Sequence, residues 1–285
     1  MDLPLVSILM TVYNREQYIA EAIESVLSST FGKFELIIVD DVSTDHSVEI
    51  ARSYAAKDQR IQVHKNAVNL GDYGNRNNAA RLAKGEFMMY VDSDDLILPD
   101  GIANCVNAML NFPDCAFGMY WDGSRGPAFE MTPETSIRRH FFDSPFLKMG
   151  PGGTILRTSF FRRIGGYPEK YGPANDMYFN LKAACAGPIL LLPFDFMFYR
   201  LHEGQQIHNS YGYMVNGYRY LKDALAELPL PLEQKEIEWI GNKNKRRFVT
   251  NITTYFFKSF DFPKTKQAVH QTGFRLHDML KGLFH

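Results

Sequence analysis

Over the first hundred residues, four short apolar runs rich in β-branched side chains alternate with three segments of helical periodicity. A parallel sheet carrying helices on both faces satisfies that alternation. Residues 5–12 (Leu-Val-Ser-Ile-Leu-Met-Thr-Val) and 34–39 are apolar enough to be buried on both sides, which is how strands of a parallel sheet read. Ile19, Ala22, Ile23, Val26 and Leu27 fall on one helical face between them. Ser43-Thr44-Asp45 supplies cap chemistry for a helix running to about residue 56, and residues 61–64 return as a strand. A third helix is expected over 72–83 with Lys84-Gly85 as its C-cap, then a fourth strand over 87–91.

Open α/β sheets bind ligands beyond the carboxyl ends of their strands. Tyr13-Asn14-Arg15-Glu16, Asp40-Asp41-Val42-Ser43 and Asp92-Ser93-Asp94-Asp95 follow the first, second and fourth strands. Carboxylates crowded on one edge call for a counter-charge. Asp92 and Asp94 stand two residues apart at a strand end, where they would share a side and could share one Mg²⁺ or Mn²⁺ together with the phosphates of a substrate. Asp41 can accept from a nucleobase or ribose. Asn69 and Gly71 open the third helix, which carries Arg76, and both a helix N-terminus and an arginine favour phosphate. Asp176 begins a later helix and could accept a proton from an attacking hydroxyl; His202 could contact metal or phosphate. A zinc-protease H-E-x-x-H is excluded because the fifth position, counting His202 as the first, is Gln206, and there is no G-x-x-x-x-G-K-[ST] loop.

The second half is less regular. Glycine-rich stretches at 150–153 and 165–166 flank a short helix with Arg162 and Arg163, a helix over 174–184 ends at Gly187-Pro188, and 189–200 reads as a broken strand. From about residue 213 the pattern is helical, interrupted at Pro229-Leu230-Pro231 and at Pro263. The formal net charge of −1 over 285 residues hides a basic tail: residues 241–285 carry +7, leaving −8 on the rest. Arg246-Arg247 with Phe248, Tyr255, Phe256 and Phe257, and the later stripe Leu276, Met279, Leu280, Leu283 and Phe284, fit an anionic bilayer surface. They fit equally well packing on the rest of the chain or on a second copy of it. Nucleic acid is disfavoured, since the candidate cleft is acidic. No apolar run approaches bilayer length, the start lacks the basic region of a signal peptide, and three cysteines without metal spacing suggest reduced thiols, so a cytoplasmic protein is expected, with contact to the inner face of the cell membrane as an extension of the tail reading.

Thr11-Val12-Tyr13-Asn14, the run Val39-Asp40-Asp41-Val42-Ser43-Thr44-Asp45, Asn69-Leu70-Gly71 with Arg76-Asn77, Gly85-Glu86 and Val91-Asp92-Ser93-Asp94-Asp95 resemble, in order and spacing, the family 2 glycosyltransferases. The match is tight over residues 5–100 and continues through Gly165-Gly166-Tyr167, Asn175-Asp176 and Tyr199-Arg200-Leu201-His202. The resemblance implies the GT-A fold, a Rossmann-like mixed sheet flanked by helices, here with a C-terminal helical extension. It implies that Thr11 and Asp41 contact the base of a nucleotide, Arg76 the base or phosphates, Asp92 the ribose and cation, Asp94 the metal (Mn²⁺ or Mg²⁺), and His202 the cation or diphosphate. Asp176 becomes the catalytic base. Tyr13, Asn14, Glu16, Asn69, Gly71 and Ser93 complete the candidate donor site by their places at strand ends.

The implied activity is inverting transfer from a nucleoside diphosphate sugar, a UDP-sugar by default, to a hydroxyl of a glycan or lipid-linked acceptor in cell-envelope polysaccharide or glycoconjugate synthesis. A catalytically silent scaffold and a sugar nucleotidyltransferase are the rivals; the latter is weakened because no glycine-rich loop follows the first strand. The expected organisation is a glycosyltransferase domain over 1–210, with a nucleotide-binding half over 1–100 and an acceptor half over 101–210, and a basic helical extension over 211–285. Two positions depart from the family pattern. Val42 replaces a glycine, which predicts an ordinary negative φ there, and Asn175 replaces a glutamate, which touches acceptor choice. The glycines at 150–153 and 165–166 flank the expected acceptor side as loops or as plain turns. Tyr120 and Trp121 are either a sugar platform or core.

Overall fold

A computed structural model describes residues 2–123, 125–202, 209–275 and 278. Strands β1 (Val6–Val12), β2 (Phe34–Asp40), β3 (Ile61–Lys65) and β4 (Phe87–Tyr90) alternate with helices α1 (Ile19–Leu27), α2 (Ser47–Ala55) and α3 (Asp72–Leu82). All four strands pair in parallel, in the order β3-β2-β1-β4. Alternate residues divide between the two faces: Leu36 and Ile38 pack with α1, while Ile37 and Val39 face the side of α3.

The chain then makes β5 (Leu96–Ile97), α4 (Gly101–Asn111), β6 (Phe117–Tyr120), β7 (Phe129–Met131), α5 (Pro133–Phe142), β8 (Thr154–Arg157), α6 (Thr158–Arg163), α7 (Asn175–Ala186), β9 (Ile189–Leu192) and β10 (Met197–Phe198). The sheet continues from β4 as β8-β6-β9-β7, with β8 antiparallel to both neighbours and β7 antiparallel to β9. The parallel half therefore extends into a mixed eight-stranded sheet. Gly118 of β6 lies opposite Ile155 of β8, and a Cβ there would stand 2.8 Å from the Ile155 side chain, so the inserted strand needs that glycine.

Gly85 does not cap α3. Helix α3 ends at Ala83, whose carbonyl accepts from the Arg162 guanidinium at 2.6 Å, so α6 supplies the cap. The glycine is required instead because a Cβ would lie 2.5 Å from the Ser7 amide and 2.8 Å from the Leu5 carbonyl. At this seam Ser7 Oγ donates to the buried carboxylate of Glu35, which also accepts from the Lys84 amide. Trp121 is core: it is buried, packs edge-on against Phe129 and Phe146, and lies under the Arg139 guanidinium.

Helices α8 (Ser210–Glu227), α9 (Gln234–Ser259) and α10 (Phe262–Thr272) follow. Pro263 begins α10, where its missing N–H costs nothing, and Asp261 caps the first turn by accepting from the Lys264 amide. Tyr220, Leu221, Ala224 and Ile240 join the core that covers one sheet face, while Tyr171 and Tyr178 donate to Asp223 and Glu227 of α8. At the turn from α9 to α10, Phe257, Phe260 and Phe262 are exposed. No helix among the described residues is long and apolar enough to cross a membrane. The stripe from Leu276 to Phe284 lies outside the described residues. Cys105, Cys115 and Cys185 are free.

Candidate active site

The loops after β1 and β2 are fastened to each other. Asn14, at φ 53°, accepts the Thr44 amide on its side chain, and its own amide donates to Ser43 Oγ. Glu16 accepts from the His46 amide and pairs with its ring at 2.8 Å. Both residues are candidate donor contacts; they tie the two loops together and are not among the residues lining the cleft. Between them Val42 takes φ +67°, so the expected ordinary conformation is wrong. The left-handed turn survives the β-branched side chain because its neighbours are pinned: Asp40 accepts the Ser43 amide, and Asp41 accepts the Leu70 and Gly71 amides at 2.8 and 2.9 Å. Asn66 adds a further bond to Asp41, so this one carboxylate positions the whole approach to α3.

A cleft of about 550 Å³ opens beyond the strand ends, lined by Thr11, Tyr13, Asp41, Asn69, Gly71, Arg76, Asp92, Ser93, Asp94 and Asp176 among others. Ten of the candidate residues thus converge. Ser93 Oγ donates to the Thr11 carbonyl and ties the Asp92–Asp95 turn to β1. Asp92 and Asp94 each hold a separate cation. The buried Arg76 guanidinium reaches Asp92 at 2.6 Å and Asp72 at 2.8 Å, whereas Asp94 Oδ2 accepts Arg15 Nε at 2.9 Å. Burial pushes the Asp92 carboxyl up from its ordinary value against the pull of Arg76. The residues that sequence reasoning passed over are Arg15, Asp72, Asn75, Lys148, Tyr199 and Tyr213, all on the cleft wall. Arg15 was readable from its place after β1. Lys148 and Tyr213 come from distant loops and helices and carry no local signal.

His202 stands behind Asp94, with Nε2 2.9 Å from Asp94 Oδ2 and its ring stacked on Tyr18. The buried Asp95 accepts the Arg200 amide and so holds this segment against the Asp92–Asp95 turn. That separation is an ordinary hydrogen bond, and it is also compatible with two neighbouring corners of an octahedral Mg²⁺ or Mn²⁺ site, whose ligand atoms lie about 3 Å apart at bonds of about 2.1 Å. Among the described residues no group of three His, Cys, Asp or Glu is placed to hold a metal ion. A hard cation here would take its remaining ligands from water and phosphate, as Mg²⁺ commonly does.

Asp176 sits at the start of α7, 8% exposed, and accepts the Met177 amide at 2.7 Å. Burial, with Asp72 adding like charge, pushes its carboxyl up to about 7 even though the Met177 amide and Arg76 pull it down. Asn175 beside it turns inward to cap its own turn, accepting the Tyr171 amide and donating to the Gly172 carbonyl. The stretch 150–153 is a tight turn on the cleft floor, with the site of a Gly150 Cβ 3.9 Å from Asp176 and that of Gly152 3.8 Å from Asp92. Gly165-Gly166, by contrast, is a left-handed turn away from the cleft that docks the Tyr167 amide on Asn77.

The cleft at the strand ends of this open α/β sheet is thus acidic, with a paired carboxylate and imidazole and a buried carboxyl poised near neutrality. The model of the glycosyl transferase family 2 matches residues 7–164, and the chain belongs to that family. It is 28% identical over 271 residues to the poly(ribitol-phosphate) beta-glucosyltransferase of Bacillus spizizenii, a match covering 92% of this chain and 41% of that protein. It is 30% identical over 213 residues to the poly(ribitol-phosphate) beta-N-acetylglucosaminyltransferase TarS of Staphylococcus aureus, covering 72% of this chain and 37% of TarS. The chain thus spans about two fifths of the length of these relatives. The crystal structure of S. aureus TarS 1-349 in complex with UDP-GlcNAc superposes with a TM-score of 0.74 at 24% identity, over 97% of this chain and 81% of that one. A mannosyltransferase from Pyrobaculum calidifontis, in complex with GDP-Man and Mn²⁺, superposes at 0.65 and 14% identity over 100% of this chain and 88% of its own. The fold is the mixed α/β GT-A architecture.

Proposed function

We propose that this chain transfers a sugar from a nucleoside diphosphate sugar, a UDP-sugar first, to an acceptor hydroxyl with inversion, in the synthesis of a cell-envelope glycan. The observation that carries the reading is Asp176, a buried carboxyl held near neutrality on the wall that faces Asp92 and Asp94. A general base works best when its pKa lies near the working pH. With the acceptor oxygen beside it, Asp176 takes the proton as that oxygen attacks the anomeric carbon and the bond to the diphosphate breaks on the opposite side. Asp41, Asn69 and Gly71 line the base end, and Arg76, fixed by Asp72 and Asp92, directs positive charge toward the diphosphate. Asp94 and His202 would hold the divalent cation, which supplies neutralising charge for the leaving diphosphate. Arg15 keeps one positive charge at Asp94 in addition.

Support comes from family membership and from relatives whose names describe sugar transfer to poly(ribitol-phosphate). The organisation that goes with it is a catalytic unit over 1–210 and a basic helical extension over 211–285. Thermal shift with nucleoside diphosphates and their sugars, with and without Mn²⁺, tests the donor site. A ligand at 100 times its Kd stabilises by about 2.7 kcal/mol, and that gain should need both the metal and Asp94, vanishing in Asp94→Ala. Folded protein that no nucleotide stabilises would favour the silent scaffold.

A further inference from the structure

A second cavity of about 750 Å³ lies between α8 and α9 and meets the donor cleft, because Lys148 and Tyr213 line both. Met177, the neighbour of Asp176, is on its wall, so it opens on the side of the proposed base. Its charge is opposite to that of the cleft. Among the described residues the cleft wall holds five carboxylates against three cationic side chains, whereas the cavity wall holds Lys148, Arg247 and Lys258 and no carboxylate.

Two of these cations are positioned by neutral groups. Buried His140 accepts the Phe146 and Leu147 amides on Nδ1 and thereby anchors the loop that brings in Lys148. Arg247 leans on Asn244 Oδ1 and the Gly217 carbonyl, both neutral. Lys148 and Arg247 line the same cavity, and partial burial with the like charge of Arg247 pushes the Lys148 ammonium down from its ordinary value. Arg247 and Lys258 are eleven residues apart on α9, about 16 Å at 1.5 Å per residue. One diphosphate cannot meet both positions. Half-buried Tyr213 and Tyr255 offer ring faces and hydroxyls for the carbon backbone of a polyol or sugar, with Tyr218 and Phe248 packed beneath the wall.

We infer that this α8–α9 groove is the acceptor site and that it takes a chain bearing repeated phosphodiesters, one phosphate held by Lys148 and Arg247 next to the reacting hydroxyl and a later one by Lys258. The inference rests on the reading of Asp176 as base and names the acceptor class for it. Attraction to exposed cations of this kind is strongly salt-dependent.

The test is direct binding of a fluorescent hexamer of glycerol phosphate to the full chain, beside a neutral hexasaccharide and phosphatidylglycerol vesicles. The phosphate hexamer should bind, weaken steeply with salt, and lose at least about fivefold in affinity in Arg247→Gln and again in Lys258→Gln. Both side chains are exposed, so melting temperature should hold and the variants remain readable. Equal binding of the neutral hexasaccharide, unchanged affinity in both variants, or binding to vesicles alone would each overturn the inference. Donor thermal shift is read on the same samples. A normal donor shift without hexamer binding sinks the groove alone, and a missing donor shift sinks the donor reading independently of it.

Discussion

The two cavities that meet at Lys148 and Tyr213 are built on opposite electrostatic plans. In the donor cleft the central cation is buried and paired: Arg76, with its side chain 9% exposed, is clamped between Asp72 and Asp92. In the α8–α9 groove the cations are accessible, and the described residues of the wall include no carboxylate. Buried pairs are part of what holds the fold, because removing one partner strands the other in a poor dielectric. Exposed single charges contribute little to folding and remain available to a ligand. The cleft should therefore respond to mutation in stability as well as in activity, and the groove in binding alone.

The largest effect expected is at Asp176. Asp176→Asn should cut turnover by at least about a hundredfold and abolish the acid limb of the rate profile, which in the wild type should fall as pH drops through about 7. Its carboxyl binds a proton more tightly folded than unfolded. The resulting destabilisation is absent below the unfolded pKa, grows as pH rises toward about 7, and is complete above that value. Melting temperature should accordingly rise in the asparagine variant at pH 8 and hardly change at pH 4. Near-wild-type transfer by the variant would remove Asp176 from the role of base, and an unchanged melt at pH 8 would contradict the cost of its burial.

Next in size is Arg76→Leu, which leaves two carboxylates without their shared cation and should cost about 3 kcal/mol or more in urea unfolding. A loss under about 0.5 kcal/mol, as expected for Lys258→Gln, would erase the contrast between cleft and groove. The smallest effect concerns the turn after β2. Val42→Gly relieves a left-handed β-branched residue, worth about 1–2 kcal/mol, against a glycine entropy cost of about 0.5–1 kcal/mol, and should raise stability slightly with donor affinity unchanged. A marked loss of donor affinity would mean that the valine side chain itself shapes the base end.

The ordered strands and helices of residues 5–100 were legible because each local signal agreed with the next: apolar runs of strand length, one-faced helices, acids at the carboxyl ends. The acidic edge followed from that topology, so Asp41, Asp92 and Asp94 could be placed without coordinates. Single residues were misjudged where a distant group took over a local task. Arg162 from α6 relieved Gly85 of capping α3, and the bonds of Asp40 and Asp41 held Val42 left-handed against its own preference. The antiparallel β8 between β4 and β6 was likewise invisible, since strand order depends on which edges meet and not on the composition of any one strand.

What the sequence determined by itself is the α/β alternation, the acidic strand ends and the basic tail, because periodicity and charge are local properties of the chain. Tertiary structure alone decided that Arg76 would be shared between Asp72 and Asp92, that burial would lift Asp176, and that Lys148, Arg247 and Lys258 would line one wall. Those are properties of distance and dielectric, and residues far apart in sequence acquire them only when the helices close on the sheet.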